Sequence, residues 1–131
     1  ESRILGDGSP GTGCPVIASI SGVDVALVVA EPTVSGVHDM ERVLELCEYF
    51  GVRALICINK CDLNHEQAER IRETAREADA PVIAEIPFDP EVNRALAQGR
   101  NLVEYGRGPA AEAVRSIWDA LSGEVNEDAT L

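Results

Sequence analysis

An aspartate stands where the first apolar run of the chain gives way to a turn rich in glycine and proline. Ile4 and Leu5 precede Asp7, and the turn Gly8-Ser9-Pro10-Gly11-Thr12-Gly13 follows it. A carboxylate oxygen suits Mg²⁺, and glycines let backbone N–H groups approach an anion closely. Ligands of parallel α/β sheets bind beyond the carboxyl ends of the strands. This segment therefore predicts the metal and phosphate side of a ligand site.

Two later strand ends carry further polar chemistry. Asn59-Lys60-Cys61-Asp62 follows one aliphatic run, and Pro87-Phe88-Asp89 follows another. An amide side chain can both donate to and accept from a purine edge, whereas Pro and Phe offer apolar contact. Each segment alone is also typical of a turn or a helix-capping loop. In a parallel sheet all three ends share one edge, so their order and spacing together indicate a nucleotide site.

The composition limits the class of protein. The chain has 131 residues, enough for one domain, and 45% of them are hydrophobic but only 4% aromatic, which predicts an aliphatic core. The net charge of −12 argues against nucleic acid or an anionic membrane as a partner. No apolar stretch is long enough for a membrane span. The four cysteines form no CxxC pair, which favours a reduced, cytoplasmic protein.

Strands and helices alternate along the chain, with connections of a few residues. This rhythm predicts an α/β fold with three layers: a mostly parallel sheet of about four strands with helices on both faces. The predicted strands are Ile4–Asp7, Val23–Ala30, Val52–Ile58 and Pro81–Ile86. The predicted helices span residues 14–21, 35–50, 64–78 and 91–97, and a last one begins at Pro109. Ser35 is the predicted cap of the second helix and Gly51 its stop, and Asn64 with Gln67 caps the third. The predicted inner face of the last helix consists of Ala110, Val114, Ile117, Trp118 and Leu121.

Four segments together resemble a known family. They are DGSPGTGCPV from Asp7, VVAEPTVSGVHDMERVLEL from Val28, INKCDL from Ile58 and AEIPFDPEVNRAL from Ala84. The chain resembles the C-terminal half of a MinD/ParA-type P-loop ATPase, in particular the branch with an inserted ferredoxin-like iron–sulfur domain. The resemblance implies that residues 1–122 are the C-terminal part of a nucleotide-binding domain. Residues 123–131 are expected to be a disordered acidic tail.

The resemblance also implies roles for single residues. Asp7 would hold Mg²⁺ through a water molecule, and Gly11 would offer its backbone N–H to the γ-phosphate. Asn59 would hydrogen-bond the adenine edge. The base pocket would be lined by Pro87, Phe88 and Asp89.

The phosphate-binding half of such a site is missing from the sequence. There is no G-x-x-x-x-G-K-[ST] loop, no deviant form with a second lysine, and no cysteine motif of the ferredoxin insertion. The expected partners are the nucleotide, the missing N-terminal half with its iron–sulfur cluster, and a second copy in a homodimer. We expect the intact protein to hydrolyse ATP with Mg²⁺ in a conformational or iron–sulfur and redox-related task, and this chain alone to be inactive.

Two alternatives remain open from the sequence. Asn59-Lys60-Cys61-Asp62 also fits the N-K-x-D pattern in which an aspartate pairs with guanine, and this would make the protein specific for GTP. The chain could instead be a non-catalytic α/β interaction module that never had a P-loop. A glycine-rich, lysine-containing loop encoded upstream would favour the ATPase.

Overall fold

The structure is a computed structural model, and it describes residues 4–8, 14–105 and 108–129. Three strands and six helices lie within this part of the chain. In order they are α1 (Cys14–Ile20), β1 (Val25–Ala30), α2 (Val34–Phe50), β2 (Arg53–Asn59), α3 (His65–Glu77), β3 (Val82–Ile86), α4 (Pro90–Ala97), α5 (Leu102–Tyr105) and α6 (Pro109–Ala129). The short helix α5 was not predicted from the sequence.

The sheet is parallel and has the order β1-β2-β3. Its first pair runs in unbroken register from Val25 opposite Arg53 to Ala30 opposite Ile58. The second pair has an irregularity between Ile56 and Cys57. The α/β class and the parallel sheet are thus confirmed. The sheet of the described residues has three strands instead of the predicted four.

The predicted strand Ile4–Asp7 is the one that is missing. Residues 4–8 form neither helix nor strand, and Ile4 is 97% exposed. An apolar run of this length forms a strand only when a neighbour pairs with its backbone, and no described strand does so. The backbone instead passes close to α1, since a Cβ on Gly8 would lie 3.6 Å from the Cβ of Ser19.

One face of the sheet is covered by α2 and α3. The buried cluster on this face joins Val28 of β1 and Ile56 of β2 with Met40 of α2 and Ile71 of α3. Burying an aliphatic side chain of this size contributes about 1.5–3 kcal/mol, so this cluster is a main source of stability. Because α2 and α3 begin beyond the carboxyl ends of β1 and β2, the same packing fixes the loops at that edge.

The opposite face of the sheet is covered mainly over β2 and β3. Leu55 and Cys57, which alternate with the residues of the first cluster, are buried, and α6 packs against β3. Ile117 of α6 is buried as predicted, whereas Trp118 is 53% exposed. Trp118 follows Ile117 by about 100° around the helix, so its ring lies at the margin of the apolar stripe.

The helix ends agree in part with the predicted signals. Asn64 caps α3 by accepting the N–H of Gln67, and Gly51 ends α2 in the left-handed conformation with φ 66°. The cap of α2 is Thr33 rather than the predicted Ser35, because the Thr33 side chain accepts the N–H of Gly36.

The last helix is longer than the sequence suggests. Helix α6 continues through Gly123 to Ala129, over residues for which we expected a disordered acidic tail. Glu124 in this stretch accepts two hydrogen bonds from the guanidinium of Arg53, at 2.7 Å and 3.1 Å. This bidentate pair ties the helix to the start of β2.

Candidate functional site

Asn59 ends β2 at the carboxyl edge of the sheet. Its side-chain Oδ1 accepts the backbone N–H of Lys60 at 3.1 Å. Lys60 has the left-handed φ of 51°, which turns the chain sharply after the strand. This bond fixes the orientation of the amide, whose NH₂ can donate to a ligand.

The ends of β1 and β2 are joined by an ion pair. Lys60 Nζ lies 3.5 Å from Glu31 Oε1, and both side chains are about half exposed. An exposed pair of this kind contributes about 0–1 kcal/mol to stability. For the site, the ion pair matters because it places Glu31 and Lys60 next to each other at the edge that carries Asn59.

The loop Pro87–Asp89, which we call the base loop, follows β3 at the same edge. Asn59 is the register partner of Ile86, and the N–H of Cys61 donates to the Ile86 carbonyl at 2.9 Å. The strand pairing therefore brings the base loop beside the end of β2, as the sequence predicts. Within this loop Pro87 is half-buried, whereas Phe88 is 60% exposed.

Two carboxylates hold the base loop. Asp62 Oδ1 accepts the N–H of Phe88 at 2.9 Å. Asp89 is 7% exposed; its Oδ1 accepts the N–H of Glu91 at 3.0 Å, and its Oδ2 accepts the N–H of Ala110 at 3.2 Å. Sequence reasoning missed the bond to Ala110. The Asp89-Pro90 pair is a helix-start signal that could have identified Asp89 as the N-cap of α4.

The two residues expected on the phosphate side are not joined to this edge. Asp7 is exposed, and no hydrogen bond or ion pair of the described residues links it to Asn59 or to the base loop. Gly11 lies outside the described residues. Their roles stay predictions.

The cysteines near the site are unsuited to thiolate chemistry at neutral pH. Burial, and secondarily the proximity of Cys61, raises the pKa of the Cys57 thiol to about 11. Burial is also the main cause that raises the pKa of Cys61, with Glu85 and Asp62 adding to it. Across residues 4–8, 14–105 and 108–129, His, Cys, Asp and Glu side chains form no cluster of three that could hold a metal ion.

In the part of the chain that is described, no helix is both long enough and apolar enough to cross a bilayer. The three helices that line the sheet, α2, α3 and α6, are amphipathic and face it with their apolar sides.

Several proteins are similar in sequence over most of the chain. Uncharacterised protein MJ0578 of Methanocaldococcus jannaschii is 31% identical over 115 residues, which are 88% of this chain and 38% of that protein. Uncharacterised ATP-binding protein MJ0547 of the same organism is 29% identical, over 86% of this chain and 43% of that protein. Cytosolic Fe-S cluster assembly factor NUBP2 of Bos taurus is 29% identical, over 76% and 41%. No family model matches the chain.

The fold has a counterpart among solved structures. The MinD cell division protein of Aquifex aeolicus superimposes with a TM-score of 0.71 at 24% identity, covering 88% of this chain and 51% of that chain. The class of fold is thus that of MinD-type P-loop ATPases. The chain is similar to part of a MinD/ParA-type protein, which confirms the resemblance seen in the sequence. It spans about two-fifths of the length of the relatives that it matches.

Proposed function

We propose that this chain is the switch II and base-recognition part of a MinD-like protein that binds and hydrolyses ATP when intact. The observation that carries the proposal is the pairing of β2 with β3, which sets the amide of Asn59 and the exposed ring of Phe88 at one edge of a parallel sheet. That edge is where such sheets bind ligands. An ATP-binding protein among the sequence relatives supports the choice of nucleotide.

The residues at this edge fit the base of a nucleotide. The NH₂ of Asn59 can donate to a ring nitrogen of adenine, and the bond from the Lys60 N–H to its amide oxygen fixes the orientation of the side chain. The ring of Phe88 is exposed, and it offers an apolar surface on which a purine can stack. Both groups act by positioning, which is a large part of catalysis in phosphoryl transfer.

The phosphate side of the site is proposed from the resemblance. Asp7 would hold Mg²⁺ through a water molecule, and the bound ion would neutralise charge on the phosphates. The exposed carboxylate of Asp7 is a donor of the right chemistry for this ion. Gly11 would donate its backbone N–H to the γ-phosphate. The glycine-rich loop and its lysine would come from the N-terminal part of the intact protein, which would pair with the sheet beside β1.

The task that ATP hydrolysis would drive is proposed only as a broad class. One relative is named as a cytosolic Fe-S cluster assembly factor. We infer that nucleotide binding by the intact protein drives a conformational or dimerisation switch in an iron–sulfur or redox-related task. By the same resemblance, a cluster would be held by the N-terminal part of the intact protein.

Titration of the full-length protein with Mg²⁺-ATP in a calorimeter tests the base site. We expect Asn59→Ala to weaken ATP binding by about 1–3 kcal/mol, the usual loss when a buried polar partner is left unsatisfied. Asn93→Ala, an exposed asparagine of α4, is the matched control and should leave the affinity unchanged. Equal affinities of wild type and Asn59→Ala would remove Asn59 from the site.

A further inference from the structure

The base loop is tied to the fold on both sides of an exposed aromatic ring. Before the ring, the N–H of Phe88 donates to Asp62, which stands in the loop after β2. After the ring, Asp89 accepts N–H groups from two different helices, α4 and α6. The backbone on each side of the Phe88 side chain is therefore fixed by a carboxylate.

Asp89 is placed for this task by its burial and by its partners. Among the described residues, Asp89 is the only charged residue that is buried. Each of its two carboxylate oxygens accepts a backbone N–H at the start of a helix. The positive end of a helix dipole favours a carboxylate there. A Cβ on Gly108 would clash with Asp89 Oδ2, so a larger residue at position 108 would require the carboxylate to shift.

The carboxylate of Asp62 has a different hydrogen-bond partner from that of the aspartate in a guanine-binding N-K-x-D motif. In that motif both oxygens are presented to the ring N–H and the amino group of guanine. Here Oδ1 of Asp62 is bonded to the backbone of Phe88 at 2.9 Å, which orients the carboxylate toward the base loop. The same residue type in the same motif position is thus used to join two strand ends.

We infer that Asp62 and Asp89 are positioning residues that hold the ring of Phe88 at the base site, and that neither carboxylate reads the base. This inference rests on the proposed function. Its consequence is that loss of either residue weakens binding of the base and spares binding of the phosphates.

The test compares two ligands of the full-length protein by calorimetry: Mg²⁺-ATP, and Mg²⁺ with inorganic triphosphate, which has no base. Asp62→Ala should weaken ATP binding about five- to tenfold, as expected for one lost hydrogen bond, and leave triphosphate binding unchanged. Asp62→Asn should keep the ATP affinity within about twofold, because its amide oxygen can still accept the Phe88 N–H. Asp119→Asn, an exposed residue of α6, is the control.

Asp89→Asn should also weaken ATP and spare triphosphate, since its NH₂ faces a backbone N–H donor. If this variant does not fold, the Asp62 variants decide the matter. Equal losses for ATP and triphosphate, or a preference of the wild type for GTP that Asp62→Asn abolishes, would overturn the positioning role while nucleotide binding stands. If the wild type binds neither ATP nor triphosphate, the proposed function and the inference fail together.

Discussion

At the scale of single residues, Cys57 shows how the sheet changes the chemistry of a side chain. It lies in the middle of β2 with 1% of its surface exposed, and burial is the main reason why its pKa rises from 9.0 to about 11. Between these two pH values the folded chain keeps a proton that the unfolded chain has lost. Stability therefore falls as the pH rises through this interval and is unaffected by this thiol below it.

We expect urea titrations between pH 8 and pH 11 to show this loss. The free energy of unfolding of Cys57→Ala should fall less steeply above pH 9 than that of the wild type, with a difference on the order of 2–3 kcal/mol at pH 11. Below pH 9 the two curves should run parallel, offset by the cost of the smaller side chain. Cys61→Ala should show a smaller difference of the same sign, because Cys61 is only half-buried and burial raises its pKa less. Parallel curves up to pH 11 would contradict the assignment.

The sequence predicted part of the candidate site at this scale. The position of Asn59 and Phe88 at one edge followed from two aliphatic runs and their polar ends, because parallel strands bring their carboxyl ends together. The bond from Ala110 to Asp89 could not be predicted, since it joins residues 21 positions apart through the packing of α6. The bond from Phe88 to Asp62 likewise depends on the exact register of β2 and β3.

At the scale of elements, the start of α2 shows a choice between two capping residues. Thr33 and Ser35 are both good N-caps in peptides, so the sequence alone does not separate them. The structure selects Thr33, whose Oγ1 accepts the Gly36 N–H at 2.9 Å. Gly36 is tightly placed there, because a Cβ on it would lie 2.2 Å from the carbonyl oxygen of Glu31. The tight turn after β1 thus sets the first residue of the helix.

Thermal and urea unfolding of two alanine variants tests this assignment. Thr33→Ala should lower the free energy of unfolding by about 1 kcal/mol, the usual cost of a lost N-cap. Ser35→Ala, two positions along in the same turn, should change it by less than about 0.5 kcal/mol, as surface substitutions generally do. If Ser35→Ala is the more costly change, the helix begins where the sequence first suggested.

Strands were predicted correctly where a neighbour completes them. The runs of β1, β2 and β3 are aliphatic and pair side by side, and the structure confirms all three with shifts of one or two residues at their ends. The run at Ile4 is also aliphatic but contains only Ile4 and Leu5 before Gly6, and no described strand pairs with it. Composition thus indicates the tendency to form a strand, whereas the partner decides whether it forms.

At the scale of the whole molecule, the outer edge of strand β1 is not paired with any described strand. Within the described residues, β1 pairs only with β2, so half of its backbone N–H and C=O groups point away from the sheet. Val29 of β1 is 59% exposed, although Val28 beside it is buried against α2 and α3. In the intact protein we propose that the N-terminal part covers this edge and this residue.

In the isolated chain the same edge is open to a second copy, because an aliphatic edge strand with an unpaired edge favours pairing with another chain. We expect light scattering of the purified chain to show concentration-dependent association. Val29→Lys should reduce this association, because it places a charge where β1 would meet its partner. Leu96→Lys is the control: Leu96 is also apolar and exposed but lies on α4, so this variant should associate as the wild type does. In the full-length protein Val29→Lys should instead lower stability, since the residue would then be buried. A chain that stays monomeric at all concentrations, or that dissociates equally with both lysine variants, would show that β1 is not an association surface.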